Sequence, residues 1–261
     1  MQLQELISIT DKIFYNNTSS WKVTISKQKE LLNVFKPTLD IKKIDYKSVN
    51  RYIEYLKNKG NSNSTINAKL AYFGHLLSYA YKNNLISNKP YIPYLKPKAL
   101  KEKYLTDDEF IKMLLWTHKN KEKELQKILL IGYYTGLRIN NILSLDKENI
   151  KDNRFYIFDK KTNTYFLLPI SKKIKYLTKN ITPFTMNYAR VYYIFNQMKQ
   201  DLNLDNDITI HTLRHTFCSN LIQKGIPVTT IQKLANHKKI QTTMRYAHLN
   251  DVELERAVNI L

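Results

Sequence analysis

The chain has 261 residues, 43% of them apolar, and a formal charge of +20 with a pI near 9.7. That apolar content builds cores and excludes a disordered tail, no apolar run approaches the roughly 20 residues of a membrane span, and the start MQLQELISITDKIF lacks the basic opening and apolar stretch of a signal peptide, so the expected location is the cytoplasm with no membrane partner. The single cysteine, Cys218, excludes an intrachain disulfide and a cysteine-rich zinc site.

The excess charge is spread along the chain. Residues 1–103 carry a net +11 and residues 104–261 a net +9, as expected if both halves grip a polyanion such as nucleic acid.

In chain order, residues 1–36 read as two helices, with Leu3, Leu6, Ile9 and Ile13 inward in the first and Ile25, Leu32 and Phe35 in the second. Pro37 closes the pair. Val49, Tyr52, Ile53 and Leu56 mark a helix over 47–58, ended by Gly60. A longer helix from about Thr65 to Asn84 turns Ile66, Leu70, Phe73, Leu77 and Ala80 inward. Together these form a four-helix N-terminal domain, residues 1–88. The stretch 88-NKPYIPYLKPKALKEKY-104 is rich in proline and lysine and reads as a linker, residues 89–103.

The domain 104–261 opens with the capping box Thr106-Asp107-Asp108-Glu109, ahead of Phe110 and Met113. A helix spans about 122–134, Gly136 breaks it, and Arg138 starts the next with Ile139, Ile142 and Leu143 inward. Residues 154–158 and 164–170 read as two strands joined by 159-DKKTN-163. A helix over about 185–202 carries Tyr188, Tyr192 and Phe195 inward. The helix of His211 follows, with Leu213, Phe217 and Leu221 repeating at i, i+4, i+8, and Gly225-Ile226-Pro227 ends it. A helix over 228–235, a short segment bearing Tyr246 that Thr242 and Thr243 can cap, and a tail helix from Asp251 complete the chain. The expected fold is mostly α with a small β-hairpin sheet.

His211 and Arg214, three apart, lie about 60° from one another around the helix axis, with Arg214 at the edge of the apolar stripe and His211 further out. His237 and Tyr246 follow in polar surroundings. These residue types suit attack on a phosphodiester by a phenolic oxygen. The negative charge of a pentavalent phosphorane must be met by fixed cations, the nucleophile must lose a proton and the leaving oxygen must gain one. Arginine meets the first need, because its planar fork binds phosphate oxygens in pairs and stays charged. Arg138 and Arg214 are the candidates. His211 and His237 can donate to those oxygens or accept the tyrosine proton. Tyr246 needs nearby cations to favour its phenolate. Lys161, at the hairpin tip, can reach a groove and protonate the leaving oxygen. Nothing in the sequence resembles a carboxylate cluster for two metals, so neither metal nor cofactor is expected. Each residue alone also has a structural reading, and His215 and His248 read as packing or hydrogen-bonding residues.

The order of these residues changes the weight they carry. The strings TGLRINNILSL (135–145), KTNTYFLLP (161–169), HTLRHTF (211–217), LANHKK (234–239) and TTMRYAHL (242–249) resemble the tyrosine recombinase or phage-type integrase family, which carries R…K…HxxR…H…Y in this order. Residues 65–90 resemble, more loosely, the end of that family's helical, SAM-like core-binding domain. The resemblance implies that Tyr246 attacks DNA to form a 3′-phosphotyrosine and free a 5′-hydroxyl. Arg138, Arg214 and His237 would stabilise the transition state, His211 would act as acid/base and Lys161 would protonate the leaving group. It implies a site-specific recombinase for integration, excision or resolution that needs no metal or ATP. The implied partners are double-stranded DNA with paired recognition sites and a homotetramer on that DNA, with the tail helix, through Val252, Leu254 and Val258, docked on a neighbouring protomer.

Three departures from the family pattern stand out. An acidic residue is usual three after the first arginine; here it is Asn141, expected to sit behind the active-site cations as a neutral substitute. The usual glycine before the second histidine is Asn236, which tolerates a left-handed turn better than most residues. The chain begins directly at the helical domain, with no arm-binding module expected. Two rival readings share these features: a type IB topoisomerase relaxing DNA without special sites, and a non-catalytic DNA-binding relative.

Overall fold

The structure, a computed structural model, describes residues 1–15, 21–98, 103–160, 163–179 and 181–247. The expected Lys161 and the tail from Asp251 lie outside the described residues, as does His248. The chain divides into two compact units, Met1–Leu100 and Lys101–Leu261.

The first unit contains α1 (Leu3–Phe14), α2 (Trp21–Val34), α3 (Tyr46–Asn58) and α4 (Asn63–Lys82). The starts of α3 and α4 are set by side-chain oxygens on orphan amides. Asp45 accepts from the Ser48 N–H at 2.8 Å, and Ser62 from that of Thr65 at 3.3 Å. The α3 stripe Val49, Tyr52, Ile53 and Leu56 is buried, as are Ile66, Leu70, Phe73, Leu77 and Ala80 of α4. In α1 the buried residues are Leu3, Leu6, Ile7, Thr10 and Asp11, whereas Ile13 is exposed. The core side of α1 is thus rotated from the expected one, because Ile7 and the back-bonded Thr10 complete the i, i+3, i+4, i+7 stripe. In α2, Leu31 and not Ile25 or Leu32 is the fully buried leucine beside Phe35. The proline-rich stretch lies along α4: Ile92 packs in the first unit's core, and Asn67 bonds both the N–H and the carbonyl of Leu95, at 2.8 and 2.7 Å.

The second unit contains α5 (Asp107–Lys119), α6 (Lys123–Thr135), α7 (Ile139–Leu143), strands β1 (Ile150–Lys151), β2 (Arg154–Asp159) and β3 (Thr164–Pro169), then α8 (Lys175–Thr178), α9 (Tyr188–Asp201), α10 (Thr212–Gln223), α11 (Val228–Leu234) and α12 (Ile240–Met244). The capping box at α5 forms as expected, with Glu109 reaching the Thr106 N–H at 2.8 Å. The hairpin gains a third, two-residue strand, giving an antiparallel sheet of order β1-β2-β3. Asp152 and Asn153, both at positive φ, make the tight turn from β1 to β2. β2 alternates, with Phe155, Ile157 and Asp159 buried and Tyr156 and Phe158 outward. On α9 the core residues are Val191, Ile194, Phe195 and Met198, while Tyr188 and Tyr192 are exposed and stack on each other. The expected inward tyrosines are corrected: Val191, Ile194 and Met198 hold the core period with Phe195 and bring no hydroxyl to satisfy. Among the described residues no helix is long and apolar enough to cross a membrane.

The packing of α10 on α6 positions everything that follows. Gly132 and Gly136, one turn apart, let the helices touch: a Cβ on Gly132 would meet Leu213 Cδ1 at 2.9 Å, and one on Gly136 would clash with the Phe217 ring. Gly136 also ends α6 in the left-handed region, φ 64°. Gly136→Ala should therefore combine a strained φ with overpacking and lose about 2–4 kcal/mol. Gly60→Ala, also at positive φ but with open space around it, should lose about 1 kcal/mol. Urea denaturation of both variants checks the difference.

Candidate active site

Three segments far apart in sequence meet at the C-terminal end of α6. The left-handed turn at Gly136 points that residue's carbonyl at α10, where the Arg214 Nη1 donates to it at 2.7 Å. The Nη2 of the same guanidinium donates to the carbonyl of Ala235, the residue that follows α11. Arg214 is only 4% exposed. Burial, with Arg138 nearby, pulls its pKa down to about 10, so it remains a cation at neutral pH.

Arg138 leaves the Gly136 turn as the N-cap residue of α7. Its Nη1 donates to Asp159 Oδ2, and its Nη2 makes a long contact of 3.5 Å to the Asn236 carbonyl. Asn236 stands at φ 48°, the left-handed turn expected where the family carries glycine. Its Nδ2 donates to Asp159 Oδ2 at 3.2 Å.

His237 follows directly and is 9% exposed. Its Nδ1 lies 2.8 Å from Thr243 Oγ1. Thr243 is therefore no cap: Lys239 holds that position on α12, and the buried threonine hydroxyl serves the histidine. Burial and the surrounding Arg214, Arg138, His211 and His215 depress the His237 pKa to about 3, so the ring is neutral. A neutral ring carries one proton, and in the tautomer where the threonine hydroxyl donates to Nδ1 that proton sits on Nε2, from which it can be given to an anion.

His211 caps the start of α10 and is exposed, while Arg214 one turn on is buried, as their spacing implied. The His211 ring meets that of His215 edge-on at 4.9 Å. His215 Nδ1 lies 2.5 Å from the Tyr246 hydroxyl. Tyr246 follows α12, is 2% exposed, and packs with Cys218, Ile222, Ile231 and Ala235. An imidazole at that distance can take a phenol's proton or share its own with a phenolate.

The structure thus gathers Arg138, His211, Arg214, His237 and Tyr246 around one turn. Asn141 is buried on α7, and its Nδ2 has no hydrogen-bond partner among the described residues. His215, read as a packing or hydrogen-bonding residue, hydrogen-bonds the tyrosine hydroxyl. Asp159, read as part of the loop, is the inward position that the β2 alternation reaches two residues after Ile157.

A helical unit followed by a mixed unit with two arginines, three histidines and a tyrosine around one turn defines an integrase-type recombinase architecture. A model of the phage integrase family matches residues 103–253, and one of the phage integrase SAM-like domain matches residues 3–113. This chain belongs to the phage integrase family. It is similar to the tyrosine recombinase XerC of Staphylococcus carnosus (strain TM300), 25% identical over 244 residues that cover 84% of this chain and 82% of that one. XerC of Staphylococcus epidermidis (strain RP62A) is 26% identical over 245 residues, with the same coverage of both. The fold matches that of the Tn1549 transposon integrase in complex with circular intermediate DNA, with TM-score 0.77, 18% identity and coverage of 94% of this chain and 95% of that one. It also matches a lambda integrase tetramer bound to a Holliday junction, with TM-score 0.79, 15% identity and coverage of 94% and 77%.

The neutral His237 has a consequence for stability. A histidine whose pKa falls from 6.5 to about 3 on folding binds fewer protons in the native state. Its contribution is fully present above pH 6.5 and is lost as pH falls toward 3. The DNA-free protein should lose about 1–2 kcal/mol from this residue between pH 6.5 and 5. His237→Gln should flatten that part of the curve in denaturant titrations across the range.

Proposed function

We propose that this chain is a site-specific DNA recombinase that cleaves and rejoins strands through a 3′-phosphotyrosine at Tyr246, in integration, excision or resolution of DNA. The observation that carries the reading is the convergence of both arginine forks, a neutral buried imidazole and a histidine-bonded tyrosine on the turn 235–237.

Arg214 and Arg138 meet the charge that develops on the non-bridging oxygens of the phosphorane, with the N–H groups not engaged by carbonyls and Asp159. His237 donates its Nε2 proton to the same oxygens without adding charge. The Tyr246 oxygen bonds phosphorus while the 5′ oxygen leaves. The phenolic proton passes to an imidazole, His211 as the family pattern implies or His215, whose ring already touches the hydroxyl. Lys161 supplies the proton of the leaving oxygen. Because the phosphotyrosine conserves the bond that a 5′-hydroxyl later attacks, the exchange needs neither ATP nor metal.

The basic surplus on both halves supports duplex DNA as the partner. In this reading residues 1–88 grip the core site, 89–103 link, and 104–261 catalyse, with two sites brought together by four protomers whose tail helices dock on neighbours. The DNA complexes among the structural neighbours, including a tetramer on a Holliday junction, support this arrangement.

Incubation with nicked DNA carrying the recognition site should yield a covalent protein–DNA adduct that Tyr246→Phe does not form while still binding DNA. Wild-type adduct yield in the phenylalanine variant would remove Tyr246 from the role. Relaxation of supercoiled plasmid by a monomer, without paired sites, would make the activity that of a type IB topoisomerase.

A further inference from the structure

A carboxylate that nothing above assigns sits at the centre of the site. Asp159 is 1% exposed, at the inward end of β2. Its Oδ2 accepts from the Arg138 guanidinium and from the Asn236 amide, and its own carbonyl accepts from the Asn163 N–H at 2.8 Å. One residue thus ties together the first arginine and the turn before His237.

The direction of the contact matters. The Arg138 side chain retains 19% exposure against 1% for Asp159, so the carboxylate lies beneath the guanidinium and the open part of the fork faces away from it. The charge matters as well. Arg138 and Arg214 repel one another, and the Asp159 carboxylate offsets that repulsion at Arg214. Asn141, uncharged and with an unpartnered Nδ2, offers no substitute.

We infer that Asp159 is the positioning residue of the site, a carboxylate carried by β2 that fixes Arg138 for the phosphate and couples it to the Asn236–His237 turn. The inference rests on the recombinase reading above and deepens it.

The test measures single-turnover formation of the Tyr246 adduct at saturating protein for wild type, Asp159→Asn, Arg138→Ala and the double variant, with DNA affinity measured in parallel. Asp159→Asn should slow cleavage on the order of 10- to 100-fold with DNA affinity unchanged, since a hydrogen bond between charged groups is lost. In the Arg138→Ala background the same change should cost little, because the group it positions is already gone. Asp159→Glu, which keeps the charge but displaces it, should show a smaller loss that also vanishes beside Arg138→Ala, and it completes the cycle if the asparagine variant does not fold. Equal losses in both backgrounds would overturn the inference while leaving the recombinase reading standing. A wild-type chain forming no Tyr246-dependent adduct would overturn both.

Discussion

Burying a guanidinium costs several kcal/mol before any partner is found, and the second unit of this chain is arranged around meeting that cost at Arg214. Two backbone carbonyls accept from it, Gly136 at the end of α6 and Ala235 at the end of α11. Both belong to helix termini, where carbonyls lack intrahelical donors and where the macrodipole favours a cation. The arginine therefore satisfies orphan acceptors of two helices at once, and the two helix ends fix its fork. The glycines of α6 are required because α10 must come close enough for this contact, and Phe217 fills the room a side chain at Gly136 would need.

Once Arg214 is fixed, the remaining charges are constrained. A second guanidinium close by raises the energy of both, and a third cation would raise it further. The chain answers with one buried carboxylate and with an imidazole kept neutral. The pKa of His237 falls through burial first and neighbouring cations second, so the ring sits among the cations without adding repulsion. Thr243 completes the arrangement from α12, one turn before the tyrosine, so the ring orientation of His237 and the position of Tyr246 are set by the same short helix.

Much of this was legible in the residues. The apolar stripes at 49–56 and 66–80, separated by Gly60, located α3 and α4, and the left-handed turn at Asn236 followed from the tolerance of asparagine for positive φ. Arg138, His211, Arg214, His237 and Tyr246 were singled out because their order carries a pattern no single position does, and the structure brings them near one turn. What was not legible depended on neighbours. Ile13, Tyr188 and Tyr192 fit an apolar period equally well as their buried alternatives, and only the packing partner decides which side faces in. Asp159 was hidden because a strand's last inward position looks like a loop until the strand's length is known. For His215 the residues left packing and hydrogen bonding both open, and only the fold shows that its partner is a hydroxyl on a segment 31 residues away.

The Arg138 contact to Asn236 spans 98 residues of sequence, and the Arg214 contact to Gly136 spans 78. Chain closure over such lengths comes late in folding, after local helices and the hairpin have formed. During synthesis, α6 and the sheet leave the ribosome well before the segment that supplies Ala235, Asn236 and Tyr246. On the recombinase reading proposed above, a chain still short of that segment lacks both the turn that holds its two arginine forks and the tyrosine, so its chemistry would begin only with the last contacts of the fold.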